Sequence, residues 1–228
     1  MQSKEVDLLR RTARDLARVE LTDPHLERFQ AYLDALCLWN RRMNLTGIRS
    51  RERMVVELLA DSLVPVPHLP AAARLLDVGS GAGLPGIPIK IVRPDIGIDL
   101  LEPLEKRAVF LRQSVRMLGL ERIRVLQGRT DDRGIPFRPK GYDVVTARAV
   151  AGLQRMVEMC APHVAHGGML IGFEGQDAEV RLDEARLSLV EADLHLEHSV
   201  VYDPPGTAGE RRTLFFRKGA TFEQGPGY

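Results

Sequence analysis

Apolar residues in the first 70 positions recur at helical spacing. Val6, Leu9, Ala13, Leu16 and Ala17 form one stripe, and Leu26, Phe29, Leu33, Leu36 and Leu38 form another. Between the stripes, Asp23 followed by Pro24 supplies an N-cap and an N1 proline for the second helix. The period changes at Arg74. From there the short apolar runs Leu75–Val78, Ile96–Leu101, Ile123–Leu126, Asp143–Thr146, Met169–Phe173, Leu196–Val201 and Thr213–Phe216 alternate with the helical patterns Glu105–Met117, Leu153–His163 and Ala178–Glu191. A β-α succession of this kind predicts an α/β fold with a seven-stranded, mostly parallel, doubly wound sheet. The last two runs are joined through Pro204-Pro205-Gly206 without a helix, which permits an antiparallel edge hairpin. The expected organisation is a helical extension over residues 1–70, an α/β domain over 71–218 and a flexible tail over 219–228. A ligand should lie beyond the C-terminal ends of the strands, at the switch point beside the first one.

Composition narrows the class. Hydrophobic residues make up 44% and charged residues 28% of the chain, which excludes disordered and collagen-like proteins. Cys37 and Cys160 are too few and too far apart for a disulfide framework or a zinc site, so no metal is expected. The opening MQSKEVDLLRRTARDL alternates apolar with charged residues, unlike a signal peptide or a membrane span. A cytoplasmic monomer with no membrane partner is therefore expected. The net charge of +1 hides segregation. Arg41, Arg42, Arg49, Arg51 and Arg53 face only Glu52, and Lys106, Arg107, Arg112, Arg116, Arg122, Arg124 and Arg129 outnumber Glu105 and Glu121. The stretch from Glu174 to Glu197 is acidic.

The strongest local signal is the run from Leu75 to Gly86, LLDVGSGAGLPG, a hydrophobic strand entering alternating glycines. Glycine allows positive φ and lets a ligand approach the backbone, which suits Gly79, Gly81 and Gly83 to a binding loop. The same letters contain a literal G-x-G-x-x-G, a dinucleotide signature that is weak alone. Two features favour S-adenosylmethionine instead. Asp77 sits two residues before the first glycine, and Pro85 removes an N–H near the helix start, whereas pyrophosphate needs amide donors and no adjacent carboxylate. The cationic amino group and sulfonium of adenosylmethionine would accept Asp77 as a neighbour. Glu102, ending the second strand, is placed to accept from ribose hydroxyls, whereas Asp99 is a candidate partner for an arginine. At the end of the third strand, Thr130 and Asp131 reach adenine height, with capping as the competing role for Asp131.

The chain as a whole resembles the bacterial small-subunit ribosomal RNA guanine-N7 methyltransferases, the glucose-inhibited division protein B family, over roughly residues 25 to 218. The resemblance rests on WNRRMNLT from Trp39 to Thr46, Asp61-Ser62-Leu63, DVGSGAGLPGIP from Asp77 to Pro88, Lys106-Arg107 with Phe110-Leu111, Thr146-Ala147-Arg148-Ala149 and Gly209-Glu210-Arg211. It implies a Rossmann-like class I methyltransferase fold, adenosylmethionine as cofactor, and methylation of N7 of a guanine in the decoding region of 16S rRNA or of the small ribosomal subunit that carries it. Carried over by position, Gly79, Leu84, Thr130, Asp131 and Arg148 would contact the cofactor. Arg41, Arg42, Asn44, Lys106, Arg107 and Arg211 would bind the RNA substrate. Two positions depart from the family pattern: Leu58 stands where a histidine is usual, and Glu174 where a lysine is usual.

Guanine N7 carries a lone pair and no proton, so displacement on a sulfonium methyl needs alignment and desolvation more than proton transfer. No general base is assigned. Arg148 is the candidate for orienting the acceptor or the cofactor carboxylate, with pairing to a nearby carboxylate as the alternative. The competing classes are a methyltransferase acting on another RNA or a small molecule, a nicotinamide oxidoreductase and a non-catalytic ribosome-binding module.

Overall fold

The computed structural model of the chain describes residues 3–148, 152–207 and 209–219. Ala149 of the fourth-strand motif and residues 220–228 of the expected tail lie outside the described residues. Each of the seven apolar runs forms a strand: β1 (Arg74–Val78), β2 (Gly97–Glu102), β3 (Ile123–Gln127), β4 (Tyr142–Arg148), β5 (Val164–Glu174), β6 (Leu194–Tyr202) and β7 (Arg211–Lys218). Their order is β3-β2-β1-β4-β5-β7-β6. The first five are parallel, and β7 runs antiparallel between β5 and β6. The expected hairpin is present, with β6 at one sheet edge and β7 inside it. Strand order reverses between β1 and β4, which puts the switch point beside the glycine loop.

Side-chain alternation along the strands separates two apolar layers. Leu75, Ile98, Leu100, Val144, Ile171 and Phe215 face one way, and Leu76, Leu101, Val145, Leu170, Leu214 and Phe216 the other. Onto the first face pack α1 (Ser3–Ala17), α2 (Asp23–Met43), α4 (Gly86–Val92) and α5 (Glu105–Met117), through residues such as Leu9, Phe29, Leu33, Ile87 and Phe110. Each such burial contributes roughly 1.5–3 kcal/mol, so the N-terminal helices are held by a shared core. The second face carries α6 (Leu153–Cys160), α7 (Ala178–Glu184) and α8 (Arg186–Glu191).

Three local expectations are corrected. Leu38 is 54% exposed, because two residues beyond Leu36 is roughly 200° around a helix and off the buried stripe. The N-cap of α2 is Thr22, whose N–H donates to His25 Nδ1 at 3.4 Å, so Asp23 is the first helical residue. The two long C-terminal patterns are also interrupted. A 3-10 turn, Ala161–His163, ends the first, and Ala185 separates α7 from α8.

Candidate active site

β1 ends at Val78, and the chain turns at Gly79 with φ of 68°. A Cβ at Gly79 would meet nothing within 4 Å, so this cradle opens outward. Gly81 is similarly uncrowded by the protein and needs glycine for its φ of 54°, so backbone strain opposes substitution there. Gly83 is required by packing, since a side chain would collide with Ile87 and crowd Leu111. The Tyr32 hydroxyl ties the loop to α2 by donating to the Ala82 carbonyl at 2.5 Å.

The two acids expected at the ligand turn inward. Asp77 is fully buried, accepting from the Gly86 N–H at 3.2 Å and the Thr146 hydroxyl at 2.9 Å. Burial outweighs these bonds and the Arg148 charge, raising its pKa to about 6. Glu102, 2% exposed, accepts from the Gly81 N–H at 2.8 Å and the Leu104 N–H at 2.9 Å. Both carboxylates therefore brace the loop, because each accepts from backbone donors within or beside it. The outcome disfavours a pyrophosphate, since the first amide of α4 and the amide of Gly81 are already held by carboxylates. Asp99 pairs with Arg124 at 2.6 Å, as expected.

Beside Gly79 lies a cleft of about 630 Å³ lined by Val78, Leu101, Pro103, the stretch from Gly128 to Asp131, and the α6 side residues Arg155, Glu158, Met159, Pro162 and His163. Its volume suits a nucleoside-sized ligand. Thr130 and Asp131 are thus brought to Gly79 as expected. Asp132, not Asp131, does the local capping, accepting from the Arg129 N–H at 2.7 Å. Gly81, Gly83, Leu84, Glu102 and Arg148 do not line this cleft. Leu84 is 8% exposed and belongs to the core.

A second feature joins three parts of the chain. After α3 (Arg51–Met54) the helix widens to a π turn, Val55–Ala60, and tightens to a 3-10 turn, Asp61–Leu63. In this winding the Asp61 N–H goes to the Val56 carbonyl, releasing the Glu57 carbonyl that an α-helix would engage. Arg148 takes it at 2.6 Å and pairs with Asp61 at 2.6 Å. Arg211 pairs with Glu57 at 2.7 Å and Asp61 at 3.2 Å, while Arg53 reaches Glu57 at 2.6 Å. The Tyr202 hydroxyl donates to Asp61 at 2.8 Å. Although burial alone would raise its pKa, Glu57 is held below the ordinary value by Arg53 and Arg211. Arg148 and Arg211, expected at cofactor and substrate, are therefore committed to two buried carboxylates that need cations.

Comparison with known proteins decides the family. The model described as GidB, rRNA small subunit methyltransferase G, matches residues 25–202. The chain belongs to this family. A ribosomal RNA small subunit methyltransferase G from Lachnoclostridium phytofermentans is 36% identical over 204 residues, covering 88% of this chain and 84% of the relative. One from Chromobacterium violaceum is 42% identical over 158 residues, covering 69% and 74%. Solved structures share the fold. A methyltransferase from Pyrococcus furiosus superposes with a TM-score of 0.58 at 16% identity, covering 84% of this chain and 98% of that one. A SAM dependent methyltransferase from Aquifex aeolicus gives 0.56 at 18% identity, covering 86% and 99%. The chain is thus an S-adenosylmethionine-dependent enzyme with the class I methyltransferase fold.

In this member of the methyltransferase G family, the substrate-side residues divide. Arg41, Arg42, Arg49 and Lys106 are exposed and Arg107 is half-buried. Trp39 packs edge-on against Phe110 with centroids 5.5 Å apart, placing the end of α2 beside α5 and its cations. Arg51 leaves the expected basic group, pairing with Glu5 and Asp34, each at 2.8 Å. Asn44 is exposed but has a structural role as the left-handed C-cap of α2. The departures from the family pattern are both enclosed: Leu58 is buried in the π turn, and Glu174 pairs with Arg181 at 2.7 Å instead of facing outward. The residues that sequence reasoning missed are Tyr32, Glu57, Tyr202 and the α6 side of the cleft. Only the i, i+4 spacing of Glu57 and Asp61 offered a signal.

Proposed function

We propose that the enzyme transfers the methyl group of S-adenosylmethionine to N7 of a guanine in the decoding region of 16S rRNA, acting as a cytoplasmic monomer on RNA or the small ribosomal subunit. The observation that carries this reading is the cleft joining Gly79 to Thr130 and Asp131, in a chain of this family. The open cradle at Gly79 fits a ligand laid against the backbone. Asp131 accepts from the adenine amine, and Thr130 contributes its backbone. Asp77 and Glu102 hold the loop at the required height, with Gly81, Gly83 and Leu84 completing its packing. Bound there, S-adenosylmethionine supplies a sulfonium methyl to an unprotonated ring nitrogen.

The chain's contribution is orientation. Arg148 ends β4 at the switch-point side and is locked by Asp61 and the Glu57 carbonyl, so it presents a fixed wall to the acceptor. No base is required, and three of the six histidines are engaged elsewhere: His163 bonds the Thr130 carbonyl at 3.1 Å, and His68 and His198 bond each other at 3.2 Å. Arg41, Arg42, Lys106 and Arg107 hold RNA phosphates, a contact that weakens with salt. No described helix is long and apolar enough to cross a membrane. Labelled adenosylmethionine and small subunits lacking the modification test the proposal. The label should appear in N7-methylguanosine, and its appearance in another nucleoside would overturn the assignment.

A further inference from the structure

The geometry points to His163 as a positioning residue for the cofactor, holding the adenine end of the cleft through the Thr130 carbonyl. This rests on the assignment of that cleft to adenosylmethionine. After β3, the stretch from Gly128 to Phe137 has no regular structure, and Arg129, Asp131, Asp132, Arg133 and Gly134 are exposed. Its internal turn is made by Asp132, and Ile135 and Phe137 anchor its far end on the second apolar layer. Neither tie sets the height of Thr130 above the cleft.

His163 reaches that point from a different element. It ends the 3-10 turn between α6 and β5, behind buried Cys160 and Ala161, and so stands on a firm base. Nε2 lies 3.1 Å from the Thr130 carbonyl, and the ring packs on Phe137 with centroids 4.4 Å apart. A carbonyl only accepts, so Nε2 carries the proton. Because the peptide is planar, fixing the Thr130 carbonyl also fixes the Asp131 N–H and the root of the Asp131 side chain. Thr130, Asp131 and His163 all line the cleft. Burial keeps the His163 pKa below its ordinary value, so the neutral donor form persists at neutral pH.

The test is calorimetric binding of adenosylhomocysteine and of 5′-methylthioadenosine, which lacks the amino-acid portion, to the parent, His163→Phe and His163→Gln. Removing the donor while keeping a ring should weaken both ligands by a common factor, roughly tenfold for one lost hydrogen bond. His163→Gln, whose amide nitrogen can donate to the same carbonyl, should recover most of that loss. In turnover, the KM for cofactor should rise while kcat at saturation stays level. If His163→Phe does not fold, His163→Asn replaces it, since its shorter amide cannot span to Thr130, and the same loss is expected. Unchanged affinity, a glutamine variant as weak as phenylalanine, or a loss confined to adenosylhomocysteine would overturn the positioning role. Gly79→Val serves as the separate control on the cleft. If it leaves binding intact, the cofactor site itself is misplaced and both readings fall; if it abolishes binding while His163→Phe does nothing, only the role of His163 falls.

Discussion

Replacing Asp77 by asparagine should stabilise the protein at neutral pH, although it alters the residue at the centre of the binding loop. In the folded chain the carboxylate is fully buried, and burial outweighs its bonds from Gly86 and Thr146, so its pKa rises from 3.8 to about 6. Below 3.8 the group is protonated in both states and costs nothing. Between the two values the folded state binds more protons than the unfolded state, so stability falls as pH rises and then levels off above about 6. The full penalty is about 3 kcal/mol. Asparagine has nearly the same shape, can accept from the Gly86 N–H, and can donate to the Thr146 hydroxyl without a charge. Urea unfolding of parent and Asp77→Asn between pH 4.5 and 7.5 measures the difference. It should grow in favour of the variant as pH rises, and flatten above about 6. Asp95, Asp143 and Glu57, which are held low, give the opposite slope in both proteins and cancel. A difference independent of pH, or one that moves against the variant as pH rises, would refute the burial argument.

Three further outcomes follow from the geometry. Asp61→Ala removes a carboxylate 1% exposed that pairs with Arg148 and Arg211, and should cost about 3–5 kcal/mol in urea unfolding. Arg41→Glu with Arg42→Glu should raise the KM for RNA and lower the salt slope of RNA binding by about 2, while calorimetry finds adenosylhomocysteine affinity unchanged. Glu174→Lys should lower the urea midpoint by setting a second cation against Arg181, without tightening RNA binding in a filter assay.

Strand positions were readable because short, mostly apolar runs such as Leu75 to Val78 or Met169 to Phe173 are bounded by glycine at one end and too short for a helix, and they alternate with longer helical patterns. Leu38 misled because apolarity alone does not place a residue on a stripe. The glycine loop was legible in location and ligand preference, but the direction of Asp77 and Glu102 was not. Whether a carboxylate faces a ligand or a buried amide depends on the backbone that folds over it. Arg148 and Asp61 lie far apart in sequence, and the π turn that frees the Glu57 carbonyl is stabilised by arginines from distant strands, so neither leaves a local trace. The role of His163 left no trace in the sequence because a lone histidine shows nothing of its partner; its bond to Thr130 spans two elements.

The central claim, methyl transfer to an unprotonated guanine nitrogen without a protein base, is tested most directly by the single-turnover rate at saturating cofactor and RNA between about pH 6 and 8, with the product nucleoside identified at each pH. That window spans the range in which a histidine base titrates, and Asp77→Asn, which removes the buried carboxyl whose pKa is about 6, serves as the control for its titration. The rate should be flat and the product N7-methylguanosine throughout. A sigmoidal rise abolished by mutating one histidine, or a methyl group found on a carbon or an exocyclic amine, would contradict it.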